Sequence, residues 1–403
     1  MGPRRPAVLQ AFALLALGVI VSGVSPSPRG QAGFVRAVPA VAERPAGSRA
    51  TDGDPVDLAT GLYLLENDDL IVHDDPPIRF TRTYRNRDPQ SRAFGIGTNH
   101  PYDLFLIGDN ATFAWAALIT AEGSRIHYVR VSLGSSIPDA VYEHTATPTI
   151  FYKSRLKWTG RGWQIDLQDG SQYSFTACGG PNTRCAMIDY RDSRGRALTM
   201  TRDAAGNLTS ITTPNNRGIQ LAYDAGNRII RARGQAGSLI RVITYEYDDR
   251  GRLIKARAGN VTKEYTYDDA HQLLTIKEPG VLITNAYDEG GRVIKQSIDD
   301  GRTFKFAYTL SNQGRITQTD VSEPDGSLRR VVFNAQGYTL SDTYAVGTPA
   351  QVSIIYRREA GSHRVQTVTV ACASKKGPLK LAARPGPQEP EEQAIARLRQ
   401  KCR

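Results

Sequence analysis

A Tyr-Asp dipeptide returns along this chain at a nearly fixed interval: Tyr223-Asp224, Tyr247-Asp248, Tyr267-Asp268 and Tyr287-Asp288, at spacings of 24, 20 and 20 residues. Tyr308 follows after 21 residues and Phe333-Asn334 after 25 more. A constant period near 20 means one small supersecondary unit used many times, each too small to bury its apolar face alone. That constrains architecture more than chemistry.

Each unit has the same internal grammar. Ile219-Leu221-Tyr223, Ile243-Tyr245-Tyr247 and Phe304-Phe306-Tyr308 alternate with polar residues, while Ile283-Asn285-Tyr287 and Lys263-Tyr265-Tyr267 are poorer copies. Period two with aromatic and β-branched residues predicts a strand with one buried face. The Asp opens a turn by accepting backbone N–H groups two residues on. A Gly usually follows (Gly226, Gly251, Gly291, Gly314, Gly337), with His271 in that place in one unit. A polar residue and an aliphatic pair, as in Arg252-Leu253-Ile254, restart the next strand. One unit is therefore strand, turn, strand, and the units must stack into a long antiparallel sheet. Tyr223, Tyr245, Tyr247, Tyr265, Tyr267, Tyr287 and Tyr308 are the expected repeat core.

The pattern resembles the YD repeat of the Rhs and teneurin-like proteins, most closely at Tyr247-Asp248-Asp249-Arg250-Gly251-Arg252-Leu253. Asp192-Ser193-Arg194-Gly195-Arg196 and Asp203-Ala204-Ala205-Gly206-Asn207-Leu208 look like versions that lost the Tyr. A second block is similar to the β-domain preceding the repeats in bacterial Rhs proteins. It comprises Gly53 to Gly61, Arg79-Phe80-Thr81-Arg82-Thr83-Tyr84-Arg85, Phe94 to Gly97 and His100 to Leu104. Thr98 stands where the family has Trp. The resemblance implies an all-β fold: laterally stacked hairpins forming a curved sheet or partial shell, packed with an upstream β-domain. The family's cleavage motif and toxin are not visible after Val370.

The expected division is a signal peptide at 1–32, a flexible leader at 33–50, an Rhs-type β-domain at 51–180, the YD-repeat sheet at 181–372 and a basic tail at 373–403. The start carries Arg4 and Arg5 and then an apolar run from Ala11 to Val21. That run is shorter than the ~20 residues needed to span a bilayer and reads as an export signal. The membrane would be met only through this segment, were it left uncleaved. Losing Arg4, Arg5 and Arg29 with the signal takes the net charge from +11 to +8. The tail is basic and contains one helix candidate, about Glu391 to Lys401. Basic residues are otherwise scattered through turns, which is no specific nucleic-acid footprint.

The chemistry-bearing residues do not converge in sequence. The six histidines (His73, His100, His127, His144, His271, His363) show no metal spacing, and neither a nucleophile elbow nor a P-loop is present. Asp52, Asp54 and Asp57 lack the carboxylate ladder of a calcium loop. Trp163 and its neighbours read as a hairpin core rather than a sugar platform. No catalytic, cofactor-binding or metal residue is assigned. The expected function is a secreted, periplasmic or cell-surface structural module without catalysis, meeting an unknown protein or carbohydrate partner. Two other readings stay open: a truncated or split component of an Rhs-type toxin-delivery shell, and a secreted hydrolase.

Cysteine usage suits an oxidising compartment. Cys178 and Cys185 flank a turn-rich loop, and Cys372 and Cys402 remain to close the tail. Protein purified from an oxidising compartment should therefore titrate no thiol at Cys178 and Cys185. Their loss should cost about 2–3 kcal/mol in the chain-entropy account of a short loop. Two free thiols at these positions in the exported protein would refute the pairing.

Overall fold

The computed structural model describes residues 19–21, 51–52, 56–109, 113–121, 123–147, 149–177, 184–361, 363–374, 377–385, 391–400 and 402. It is nearly all strand, with one α-helix among the described residues, α1 (Glu391–Gln400). Short strands joined by tight turns follow from the period-two patterning and from the Asp and Gly punctuation.

Most of the strands form one continuous antiparallel strip. It begins with Phe105–Gly108 and runs strand by strand through Trp115–Ile119, Arg125–Arg130, Val141–Glu143, Arg155–Trp158, Gly162–Asp166 and Gln172–Thr176 to Cys185–Arg191. There the strip meets its own start: Cys185 and Ala186 pair with Leu106 and Phe105. Further along the same edge, Asp189, Tyr190 and Arg191 pair with Thr199, Leu198 and Ala197. One strand edge thus serves two neighbours in tandem. The first eight strands close a ring, and the strip continues outward from it through the Tyr-Asp repeats to Gly377–Ala383.

The upstream block divides differently from the expected 51–180 domain. Residues from Phe105 onward belong to the strip, which crosses position 180 through the pairing of Gln172–Thr176 with Cys185–Arg191. Only the earlier part packs against the strip as a separate layer: the hairpin Leu62–Val72 and Ile78–Arg85, with Thr98–Asn99 beside it. Leu70, Val72, Ile78 and Phe80 are fully buried there, in the same core as Ile243, Tyr245, Tyr265 and Ile283 of the repeats. The burial of Leu62–Val72 does not alternate, because both of its faces meet protein. Val19–Val21, inside the expected signal peptide, pairs in parallel with Leu70–Val72. The leader 33–50 lies outside the described residues.

The layer and the strip are joined by backbone as well as side chains. Ile96 N–H donates to Gly251 O, Ile229 N–H to Ala93 O, and Val293 N–H to Gly61 O. At the trailing end the cover changes hands. α1 buries Ala394 and Leu398, the latter in a second core of Ile354, Tyr356, Val368 and Val370, and Cys402 is disulfide-bonded to Cys372.

Two glycines with the same backbone conformation separate close approach from turn chemistry. Gly95 has φ +82°, and a Cβ there would lie 2.2 Å from Gly251 O; Gly206 has φ +87° and open space. Gly95→Ala should destabilise by roughly 2–4 kcal/mol, combining left-handed strain with overpacking, and Gly206→Ala by roughly 1–2 kcal/mol, from strain alone. Equal shifts of the urea midpoint for the two variants would contradict this contact.

Candidate functional site: an inter-repeat clasp and a buried charge network

Each repeat carries a β-bulge at the same place. The register jumps between Glu246 and Tyr247, leaving Ile254 as the extra residue, and likewise at Tyr223, Tyr267 and Tyr287 with Ile230, Leu274 and Ile294 extra. A bulge interrupts the ladder and leaves a backbone group to be satisfied elsewhere. The next repeat supplies the partner. Tyr267 OH donates to Leu253 O at 2.7 Å, Tyr287 OH to Leu273 O at 2.8 Å, and Tyr308 OH to Val293 O at 2.5 Å. Tyr247 OH reaches Ile229 O at 2.6 Å and Tyr223 OH reaches Leu208 O at 2.8 Å. In every case the acceptor is the residue before the extra one, or its counterpart in that unit. Tyr308 makes the contact although its turn starts three residues on, at Ser311, and not at the next residue.

The turn carboxylate is part of the same clasp. Asp248 Oδ1 accepts N–H from Arg250 (3.1 Å) and Arg252 (2.9 Å), and Oδ2 accepts Arg252 Nε at 2.7 Å. Arg252 then lies over the ring of Tyr267, 5.2 Å from its centroid. Arg228 does the same over Tyr247 (4.7 Å) and Arg292 over Tyr308 (5.8 Å). These aspartates are therefore not the exposed turn residues that turn chemistry alone suggests: the Asp248 side chain is 21% exposed. Burial alone would raise the carboxyls of Asp224, Asp248 and Asp288. The hydrogen bonds and ion pair with the Arg four residues on outweigh it and hold them below the ordinary value.

Three departures from the repeat are filled by other residues, one of them at the turn of Asp224, where Asn227 (φ 59°) and not Gly226 takes the left-handed position. Arg202 stands where the unit at Asp203 lost its Tyr, and its Nε donates to Met187 O at 3.2 Å, the residue before the extra Ile188. The guanidinium replaces the phenol and also donates from Nη2 to Tyr102 O at 2.9 Å. In the unit at Asp268, His271 holds φ 63° in place of the glycine. Here Tyr84 of the inner hairpin donates to His271 O at 2.9 Å and accepts Leu273 N–H at 3.1 Å.

Between hairpin and strip lies a charge network closed to solvent. Arg82 is 2% exposed and Asp69 0%, joined by Nε to Oδ2 at 2.9 Å and Nη2 to Oδ1 at 3.2 Å. Tyr245 OH donates to Asp69 Oδ2 at 2.7 Å, and Arg82 Nη2 donates to Tyr265 OH at 3.0 Å. Burial opposes the Arg82 charge, but the Asp69 carboxylate and the two phenols outweigh it and hold the guanidinium above its ordinary value. The poorer repeat copy at Lys263 is explained next to it: Lys263 Nζ donates to Asn67 Oδ1 at 2.8 Å and pairs with Glu278 at 2.9 Å. Asn285, the other irregular core position, donates from Nδ2 to Leu273 O at 3.1 Å.

The remaining candidates are structural in their surroundings. His100 is buried against Phe80, Phe94 and Tyr102; burial, opposed by Asp103 and aided by Arg202, pushes it down to about 4. His144 Nδ1–H donates to His127 O at 2.7 Å, and Nε2 accepts from Thr147. Asp57 Oδ1 accepts the N–H of Ala59 and Thr60, while Asp54 lies outside the described residues. Trp163 packs on Tyr142 and Trp158. No group of three His, Cys, Asp or Glu able to hold a metal occurs among the described residues. An open depression is lined by Glu143, Lys153, Arg155 and Asp166; Arg155 pairs with Glu143 across it, and Asp166 pairs with the neighbouring Lys157. Cys185 is disulfide-bonded, and Cys178 lies outside the described residues.

Comparison with known proteins agrees with this anatomy. The family description "Teneurin YD-shell" matches residues 181–341, the stretch that carries the clasp, and a domain of unknown function, DUF6531, matches residues 53–128. The chain belongs to the Rhs/YD-repeat family. Among curated relatives, it is 23% identical over 283 residues to "Probable deoxyribonuclease RhsB" of Dickeya dadantii, covering 68% of this chain and 18% of that protein. It is 33% identical over 137 residues to "tRNA3(Ser)-specific nuclease WapA" of Bacillus spizizenii, covering 33% of this chain and 6% of that one. The chain thus spans less than a fifth of the length of these relatives. Of solved structures, the TcdB2-TccC3-Cdc42 crystal structure aligns with 71% of this chain and 20% of that one, at 14% identity and a TM-score of 0.30.

The clasp makes a ranked prediction for this YD-repeat protein. Tyr247→Ala should cost about 3–5 kcal/mol. Tyr247→Phe, which leaves Ile229 O without its donor, should cost about 1–2 kcal/mol. Asp248→Ala should cost about 1–2 kcal/mol and exposed Asp249→Ala at most about 0.5 kcal/mol. The Asp248 contribution has a sign in pH. It is present above the unfolded carboxyl value and lost as pH falls through the lower folded one, so the Asp248→Ala penalty should shrink in acid. Denaturant melts at pH 7 and pH 3 check both the order and the trend.

Proposed function

We propose that this chain acts as a non-catalytic piece of shell wall: a β-strip that encloses or presents another polypeptide in an exported, toxin-delivery type of assembly. The observation that carries the reading is the way the chain is built. The strip curls into a closed ring at its start, and its covered face is filled by the chain's own hairpin through Arg82, Asp69 and Lys263. The repeated tyrosines and aspartates are consumed in holding neighbouring repeats together. A wall needs that arrangement, whereas an active site needs polar groups left over for substrate.

Family membership supports the shell reading, and the basic and apolar start supports export. The deoxyribonuclease and tRNA nuclease names belong to relatives of which this chain spans 18% or less. Their activities are not proposed for it. The alternative of a free-standing cell-surface module binding protein or carbohydrate shares the same wall and differs only in what lies against it.

The test is expression in both the periplasm and the cytoplasm, combined with nuclease assays of the purified chain on plasmid DNA and tRNA. No growth defect and no cleavage are expected. In the exported fraction, cross-linking mass spectrometry should place a second polypeptide against the strip. Toxicity or cleavage abolished by one polar substitution would overturn the reading and restore an enzyme.

A further inference from the structure

The trailing end of the strip is covered differently from the rest. There the inner hairpin gives way to α1, which lies over the second core of Ile354, Tyr356, Val368 and Val370. The helix has ten residues and buries two of them, Ala394 and Leu398. An isolated helix of that length is marginal in water, and its docking has to come from packing. One of its own groups works against docking. Glu391, at the first turn, has Oε1 buried without a hydrogen-bond partner among the described residues, close to Arg358, whose Nη2 is buried and unpartnered as well. What holds the other end is covalent, the Cys372–Cys402 bond across 30 residues of sequence.

We propose that α1 is a thiol-controlled lid: it seals the trailing end of the covered face while the Cys372–Cys402 bond is intact and leaves that face open when the bond is reduced. A dithiol supplies two electrons and two protons, giving two protein thiols and its own cyclic disulfide. The S–S bond breaks, and the second tether of α1 is gone. The floor uncovered is the apolar set Ile354, Tyr356, Val368 and Val370. The lid would then be open in a reducing cytoplasm before export and shut in an oxidising compartment.

Acid favours the shut state. Burial raises the Glu391 carboxyl from the ordinary 4.5 to about 7, with Arg358 opposing and Glu392 adding to the rise. The Tyr356 phenol lies alongside. The helix N-terminus and Arg358 both favour the ionised form, and burial outweighs them. A carboxyl raised by docking contributes to docking below its free value, and that contribution is lost as pH rises through the docked one, here between 4.5 and about 7.

Hydrogen exchange on the full chain tests the lid, with and without dithiothreitol, beside the Cys372→Ser/Cys402→Ser variant without reductant. The variant matters because it leaves the Cys185 disulfide untouched. Expected is a loss of protection on the order of 100-fold at the amides of α1 in both the reduced protein and the variant, from the closed-loop entropy. Strands from Leu239 to Tyr287 should be unchanged. In the variant, α1 protection corrected for intrinsic rate should be at least ~10-fold greater at pH 5 than at pH 8, and Glu391→Gln should flatten that difference. Unchanged α1 protection in the variant would overturn the lid. So would loss of protection along the whole strip, which would make the bond a global staple. A pH-independent lid in the variant would overturn the role given to Glu391.

Discussion

The structure depends on a backbone carbonyl that the sheet itself cannot satisfy. Every repeat bulges on its return strand, and a bulge in a long antiparallel strip both bends it and frees a ladder group. A strip of such units would gather unsatisfied carbonyls along a buried line, at a cost of about 1–3 kcal/mol each. The tyrosine answers this, since its ring fills the core while its hydroxyl reaches the freed carbonyl of the preceding unit. Curvature and cohesion therefore come from the same residue. Arg202 shows that the requirement is for a donor at that point, not for an aromatic ring.

The inner hairpin turns a repetitive strip into a specific one. Identical repeats would accept a filler in several registers. Lys263, Asn285 and His271 break the repeat where the hairpin or its neighbours make polar contacts, and Arg82 with Asp69 sets a charged pair under Tyr245 and Tyr265. A buried pair of this kind contributes little net stability, but a one-residue slip would leave either charge unpartnered. Register between layer and strip is what it secures.

The repeat was legible because tyrosine, aspartate and glycine each have a distinct physical job at a fixed spacing. The all-β class, the buried faces of Tyr245 and Tyr265, and the helix near Glu391 could all be read in that way. The rest was not legible, for identifiable reasons. The strands from Phe105 to Thr176 belong to the same strip but lack the Tyr-Asp mark, so they read as a separate domain. Leu62–Val72 is buried on both faces, which erases the alternation that identifies a strand. Asp248 reads as a turn residue, and its tie to Arg252 and through it to Tyr267 needs two units seen side by side. Arg202 carried a usable signal, a long donor standing in the tyrosine's place before Asp203, which only the function of the hydroxyl makes meaningful.

The strand Cys185–Arg191 has a geometric consequence. By lending one edge first to Leu106 and Phe105 and then to Ala197–Thr199, it works like a screw dislocation in a crystal. The ring is complete, yet the layer never ends in a seam, because the next turn of sheet starts from a step within the same strand. Material added at the far end disturbs nothing at the step. The ring is closed once, near residue 185, and the number of hairpins that follow sets how far the strip extends beyond it. A gene can lengthen or shorten such a wall by whole units without redesigning its base.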